Sequence, residues 1–370
     1  MQFGYISVSP SPTRGNPLSF ISIMRIFENI IRGIIGDSGL KLNTISKTSG
    51  ISHTYLTKLI NDNINRPGKD KIASVMLALN YSIEEINTVL AGYDYQALDE
   101  PDIPEILENN RKRKIQGNTL SLYDDIHVKL LLSPMERMGG AKILVKKAPS
   151  VLFMPDELYL GRKTDPNEDD PPDKSFYHAF TSALFKERKA IFQTSCDAGA
   201  RFETYICRHC LEEYVKKVME ANQGNQPELV LRFFANATAA IRANPDQHRT
   251  WIMERCPWFD YMIQGDDHDD PKVFFFGKKS HDYGSTSEQV NLQGFSSDST
   301  AMIDLFRKET RLCRRAIDPK LKKNYPDSLI RYLIGLFRAY GCAEAFTAYM
   351  DRPEPSDRAV VTGVDRPRSI

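Results

Sequence analysis

Long apolar runs are missing from this chain. The 370-residue sequence contains no apolar stretch of the ~20 residues that a helix needs to cross a bilayer. The first twenty residues lack the charged start, apolar core and small-residue cleavage site of a signal peptide, and they contain Pro10, Pro12 and Pro17. We therefore predict a disordered extension over residues 1–23 and no membrane partner.

Cysteine is scarce, and its spacing shows no disulfide framework. The six cysteines suit a reducing compartment, which predicts a cytoplasmic protein. The one close pair is Cys207-Arg208-His209-Cys210, but no second such pair or paired histidines follow to complete four zinc ligands. We therefore expect two half-buried thiols here, and no metal.

The motifs of common enzyme classes are absent as well. The chain has no Walker-type phosphate loop, no Gly-x-Ser-x-Gly elbow and no Rossmann glycine signature. His127-Val128-Lys129 has Pro134 where a phospholipase D motif places its acid, and we interpret His127 as a partly exposed residue on a helix. Asp266–Asp270 lacks the spacers and turn glycine of a calcium loop, so a solvated acidic loop is expected. We predict no enzyme, no catalytic residue and no cofactor.

A short segment near the N-terminus does carry a recognisable pattern. From Gly50 to Ile60 the chain reads as a turn glycine, a helix cap at Ser52 and an amphipathic helix. Leu56 and Leu59 would face inward, and polar side chains that can reach base edges and phosphates would face outward. This pattern predicts the second helix of a helix-turn-helix that enters the major groove of DNA.

The flanking residues predict four more helices. An apolar stripe from Ile26 to Ile35 indicates a first helix, and Asn43–Ser49 a second with Ile45 inward. A fourth contains Ile72–Leu79, and Ser82 would cap a fifth. Between the third and fourth helices, Arg66-Pro67-Gly68-Lys69 would hold a phosphate.

Five helices in this order resemble the DNA-binding domain of the Cro/λ-repressor (XRE) family of regulators. The likeness covers residues 24–95, and its third-helix pattern is carried by Gly50, Ile51, Ser52, Leu56, Thr57 and Leu59. The family's glutamine near the start of the second helix is missing, since Leu42 and Asn43 stand there. The predicted DNA-contacting residues are Asn43, Thr44, Ser52, His53, Thr54, Tyr55, Thr57, Lys58, Asn61, Arg66 and Lys69.

The charge of this region limits how it would bind DNA. Residues 24–98 contain eight Lys/Arg against seven Asp/Glu, and the whole chain has a net charge of +1. Phosphate contacts must therefore come from a few local cations. A single module of this size buries little surface, which predicts a homodimer on a pseudo-palindromic site.

Beyond the first domain, helical and strand patterns alternate. We predict a linker over residues 99–119 with a basic end at Arg111–Lys114, then a mixed-sheet α/β domain over 120–350 and a disordered tail over 351–370. Strands are predicted at Ser150–Met154, Ala190–Thr194, Phe202–Ile206 and Glu228–Phe234, an edge strand within Trp251–Ile263, and a hairpin of Val273–Phe276 with Val290–Gly294; Ser297 would cap a late helix.

This second part resembles the effector domain that follows such modules in bacterial regulators. Gly199–Tyr214 and Gly294–Thr310 carry the likeness, which implies a non-catalytic, phospholipase D-like fold. The sequence thus predicts a bacterial transcriptional regulator, such as a repressor, whose α/β domain dimerises or senses a small-molecule or protein effector. Two alternatives remain: an antitoxin or phage-defence control protein that binds a partner protein, and a nuclease guided to DNA by the helix-turn-helix.

Overall fold

The computed structural model describes residues 30–61, 63–64, 66–114, 119–121, 125–146, 149–160, 172–220, 226–257, 259–264, 271–278 and 292–351. Within them the chain forms fifteen α-helices and one sheet. The helices are α1 (Ile30–Asp37), α2 (Leu42–Ser49), α3 (His53–Ile60), α4 (Lys69–Ala78), α5 (Ile83–Ala91), α6 (Ile103–Arg111), α7 (Asp125–Arg137), α8 (Asp156–Leu160), α9 (Pro172–Asp197), α10 (Arg208–Glu220), α11 (Gln226–Ala243), α12 (Thr300–Arg315), α13 (Pro319–Lys322), α14 (Asp327–Arg338) and α15 (Ala343–Asp351). The strands are β1 (Thr119–Ser121), β2 (Ala141–Lys146), β3 (Arg201–Cys207), β4 (His248–Met253), β5 (Asp260–Gln264), β6 (Val273–Lys278) and β7 (Leu292–Ser297).

The first five helices form where the apolar periodicity places them. Local signals fix their ends: Ser52 caps α3, and Ser82 caps α5 in a reciprocal capping box with Glu85. Gly50 ends α2 in the left-handed conformation. The buried residues Ile31, Ile45 and others from all five helices belong to one hydrophobic cluster.

The sheet has seven strands in the order β1-β7-β6-β5-β2-β3-β4. Strands β2, β3 and β4 run parallel, whereas every other neighbouring pair is antiparallel. The predicted hairpin is confirmed as β6 with β7, and the predicted edge strand as β4. Helices α8 and α9 connect β2 to β3, and α10 and α11 connect β3 to β4, as parallel neighbours require.

Helices cover both faces of this sheet. Alternating side chains of β3 divide between the faces: Phe202 and Ile206 pack beneath α7, α9, α10 and α11, whereas Tyr205 and Cys207 face α12. Strand β3 is therefore covered by helices on both faces, whereas the first four residues of the edge strand β4 are exposed or half-buried. The carboxyl ends of β3 and β4 lie at one edge, with Cys207 opposite Met253.

Three predicted strands are not strands. Ala190–Thr194 lies inside the 26-residue helix α9, Glu228–Phe234 lies inside α11, and the segment from Ser150 contains a short 3₁₀ turn, Val151–Phe153. Short apolar runs do not distinguish a buried strand from a buried helix segment. The late helix α12 also begins after Ser299, because Ser297 ends β7.

The segment interpreted as a linker contains helix α6. Pro104 lies in its first turn, where a missing N–H breaks no helical hydrogen bond, and Ile103, Ile106 and Leu107 are buried. The hydrophobic cluster of α1–α5 continues through these residues into α7 and α9, where it includes Phe180. The two predicted domains therefore share one core on either side of α6.

Some predictions fall on residues that are not described. The N-terminal extension, the tail after Asp351 and the acidic run Asp266–Asp270 all lie outside the described residues. None of the described helices combines the length and apolar composition that crossing a bilayer requires.

Candidate nucleic-acid interface

Helices α2 and α3 are joined by a turn that is fixed by short side chains. Ser46 Oγ donates a hydrogen bond to the Ile51 carbonyl at 2.7 Å, and Ser49 Oγ donates to the Ile45 carbonyl at 2.6 Å. Ser49 Oγ also accepts from the Ile51 N–H at 3.2 Å. These bonds satisfy backbone groups at the end of α2 and set the direction in which α3 leaves.

Gly50 is required in this turn for two reasons. Its φ of +75° is costly for any residue with a Cβ. A Cβ added there would also lie only 1.9 Å from the Asn109 carbonyl oxygen of α6. The turn that leads into α3 therefore packs directly against the end of α6.

Helix α3 presents a polar surface to solvent. The Ser52 hydroxyl accepts a hydrogen bond from the Tyr55 N–H at 3.2 Å, which caps the helix. Leu56 and Leu59 are buried. His53, Thr54 and Lys58 are exposed, and we call these three residues the outer face of α3.

The remaining predicted contacts of α2 and α3 vary in exposure. Asn43 and Asn61 are exposed at the start of α2 and the end of α3. Thr44 is half-buried, and so is Thr57, whose hydroxyl donates to the His53 carbonyl at 2.9 Å. The structure therefore places these residues on the same two helices but leaves Thr57 with a partner inside its own helix.

Tyr55 does not lie with the outer face. Its ring packs against the hydrophobic cluster, and its hydroxyl accepts a hydrogen bond from the Gly68 N–H at 3.3 Å. Burial raises the pKa of the Tyr55 phenol. Its place on the helix suggested a base-reading residue, but the fold uses it to hold α3 against the start of α4.

Arg66 and Lys69 are also engaged within the protein. The Arg66 guanidinium lies 4.3 Å from the centre of the Tyr95 ring and donates to the Asp94 carbonyl at 3.0 Å. Lys69 Nζ lies 2.6 Å from an Asp102 oxygen and donates to the Ala97 carbonyl. The chain between α5 and α6 thus provides partners for both cations of the predicted phosphate-holding loop.

A different set of cations, Lys112, Arg113 and Lys114, lies beside the turn between α2 and α3. The sequence analysis placed these residues in the linker. The Lys114 N–H donates to the Lys47 carbonyl at 2.8 Å, and the Arg113 side chain donates to the Thr48 carbonyl. The Lys112 Cβ lies 3.3 Å from the Cβ position of Gly50. These contacts satisfy carbonyls at the end of α2 and place the exposed Lys112 and Lys114 near the start of α3.

No family model matches this chain, and no curated protein or solved structure matches it at a significant level.

The His-x-Lys motif of the α/β part is buried. His127 and Lys129 lie on α7 as predicted, but they are 4% and 6% exposed, so His127 is buried rather than partly exposed.

Beneath the Val151–Phe153 turn lie two adjoining cavities of about 30 Å³ each. Such a cavity holds one or two water molecules, whereas pockets for small ligands usually exceed ~300 Å³.

Proposed function

We propose that this protein binds double-stranded DNA in a sequence-specific manner and regulates transcription, with α2 and α3 acting as a helix-turn-helix. The observation that carries the proposal is the outer face of α3, where His53, Thr54 and Lys58 project into solvent from a capped helix. Donors and acceptors of these types pair with base edges in the major groove. The apolar side of the same helix is held in the core through Leu56 and Leu59.

The arrangement of charge supports a revised set of phosphate contacts. Within the described residues Lys58 has no ion-pair partner, and Lys112 pairs only with the exposed Glu108 at 3.3 Å. Such an exposed pair contributes little and is readily exchanged for a phosphate. Lys112 and Lys114 therefore take the phosphate-binding role in this proposal, in place of Arg66 and Lys69.

The proposal includes a homodimer. Helix α3 has 8 residues, of which three form the outer face, so one copy reads only a few base pairs. Two copies on half-sites about one helical turn apart would supply the missing specificity. The α/β part would then hold the two copies together or respond to an effector.

Selection of bound duplexes from a random pool tests the proposal, using the full chain at fixed salt. We expect enrichment of one pseudo-palindromic sequence. On that sequence, His53→Ala and Thr54→Ala should each relax the preference at one base position per half-site by about 1–3 kcal/mol. Lys58→Ala should weaken binding about tenfold, because it removes an unpaired cation from the contact surface.

Lys308→Ala is the matched control, since Lys308 is an exposed lysine on α12, far along the chain from α3. It should bind the selected sequence like the unmodified protein. If the pool yields no enriched sequence, or if Lys58→Ala and Lys308→Ala bind equally well, α3 is not the contact surface.

A further inference from the structure

Three cysteines from separate parts of the chain meet at one end of the sheet. Cys207 is the last residue of β3, Cys210 lies in the first turn of α10, and Cys256 follows β4. Because β3 and β4 are parallel neighbours with Cys207 opposite Met253, their carboxyl ends bring Cys256 back to the Cys207–Cys210 pair. The sequence could not show this, since Cys256 is 46 residues from Cys210.

The three sulfur atoms are spaced like the ligands of a thiolate metal centre. All of them lie within 4.8 Å of one another, and Cys210 Sγ is 3.4 Å from Cys256 Sγ. In a tetrahedral zinc site, bonds of ~2.3 Å put neighbouring sulfurs about 3.8 Å apart. Side-chain adjustments of less than about 1 Å would therefore bring all three onto one ion.

The backbone on both sides of this cluster is held in place by ion pairs. Arg208 lies between Cys207 and Cys210, and its guanidinium is 3.0 Å from Glu254, two residues before Cys256. The same guanidinium pairs with Asp318. On the other side, Arg255 pairs with Glu309 of α12 at 3.0 Å. The segments that carry the cysteines are thus joined to each other and to the helix layer before any ion binds, which lowers the cost of ordering a site.

The three cysteines of the cluster differ in their exposure to solvent. Cys207 is buried, Cys210 is partly exposed and Cys256 is exposed. An ion can therefore enter from the Cys256 side. Once bound by the three sulfurs, it would have one coordination position open toward solvent. Three protein ligands with one open position is the arrangement of exchangeable or reactive zinc centres, whereas closed structural sites use four.

We propose that Cys207, Cys210 and Cys256 form a binding site for a soft divalent cation of the Zn²⁺ class, with water or an exogenous ligand in the fourth position. Thiolate sulfur selects such ions over Mg²⁺ or Ca²⁺, which prefer oxygen. The site lies in the α/β part and its evidence is separate from that for DNA binding by α3.

Titration of the reduced, metal-stripped full chain with Co²⁺ tests the site, since Co²⁺ replaces Zn²⁺ in tetrahedral centres and gives thiolate-to-metal charge-transfer absorption. We expect one equivalent to bind with this absorption and to be displaced by Zn²⁺. If the reduced chain takes up no Co²⁺, or takes it up without the charge-transfer band, the proposed site is wrong.

Variants locate the ion. Cys256→Ser changes an exposed side chain and should leave the fold intact by circular dichroism, yet it should weaken Co²⁺ and Zn²⁺ binding at least about 100-fold, since even changes behind the ligands cost ~10–100-fold. Cys210→Ser should do the same. Cys342→Ser, at a partly exposed cysteine outside the cluster, is the matched control and should bind normally. Equal affinity in Cys256→Ser and Cys342→Ser would overturn the assignment.

Discussion

At the scale of the residue, Gly50 is under two constraints that can be separated. The first is its left-handed backbone, and the second is the close approach of the Asn109 carbonyl. Gly39 shares only the first, because its φ is +64° and, apart from its chain neighbours, no described residue has an atom within 4 Å of its Cβ position. The pair therefore distinguishes backbone strain from a steric clash with α6.

We predict that Gly50→Ala lowers the free energy of unfolding by roughly 3 kcal/mol, from left-handed strain plus overpacking against α6. Gly39→Ala should cost roughly 1 kcal/mol, from strain alone. Chemical denaturation of both variants measures the difference. Equal losses would mean that α6 moves away from the turn at no cost.

His248 is a second residue with a property set by its surroundings, in this case its pKa. Its ring lies among Phe153, Phe192 and Phe202, and its Nδ1 atom is buried without a hydrogen-bond partner among the described residues. Burial lowers the pKa of His248 to about 4, against about 6.5 for an exposed histidine. Between these two values the unfolded chain binds a proton that the folded protein does not.

The stability of the protein should therefore fall as the pH drops from about 6.5 to about 4, by up to ~3 kcal/mol from this one group. Above pH 6.5 the contribution of His248 should be constant. His248→Gln should remove this part of the pH dependence, as measured by denaturation at several pH values. His209→Gln should keep it, because that exposed change leaves His248 in place. A variant of His248 with the original slope would contradict the assignment.

At the scale of the element, α6 connects the N-terminal helices to the rest of the molecule. Asn109, which is 2% exposed, donates to Asp70 at 2.8 Å and to Ser74 at 3.1 Å, and it accepts from Lys71 at 3.0 Å. These bonds hold α6 on α4. From the other side, Arg111 pairs with Glu187 of α9 at 3.0 Å.

Asn109→Ala should lower the free energy of unfolding by about 2 kcal/mol, since it leaves the buried Ser74 hydroxyl without its donor and takes from Asp70 one of its two donors, the other being Lys71. Glu105→Ala, on the exposed side of the same helix, should change stability by less than about 0.5 kcal/mol. Thermal unfolding of the two variants makes the comparison. If they behave alike, the bonds of Asn109 do not fix α6.

At the scale of the whole molecule, one hydrophobic cluster runs from the first helices into the layer above the sheet. It includes Ile31 and Ile45 at one end and Phe176, Phe180 and Leu184 of α9 at the other. A proposed signal in the α/β part thus has a continuous packed route to α3. Binding at either end would alter the other only by favouring one arrangement of this shared core.

The sequence by itself determined the local features of the N-terminal helices. Apolar spacing, the serine caps and Gly50 act within a few residues, so α1–α5 could be predicted without knowledge of the rest. The exposure of His53, Thr54 and Lys58 was predicted in the same way, but Tyr55 was expected beside them and packs against the core instead. The same local signals could not distinguish Ala190–Thr194 from a strand, because a buried helix segment has the same apolar composition.

Only the tertiary structure decided which side chains are available to bind DNA or a metal ion and which are engaged within the protein. Lys69 is paired with Asp102 and Tyr55 is bonded to Gly68, while Lys112 reaches the turn at Gly50 and Cys256 reaches Cys207. The pairings of Lys112 and Cys256 join residues far apart in the chain, and they follow from how α6 packs and how the parallel strands order themselves. Such contacts depend on the whole core rather than on the spacing of neighbouring residues.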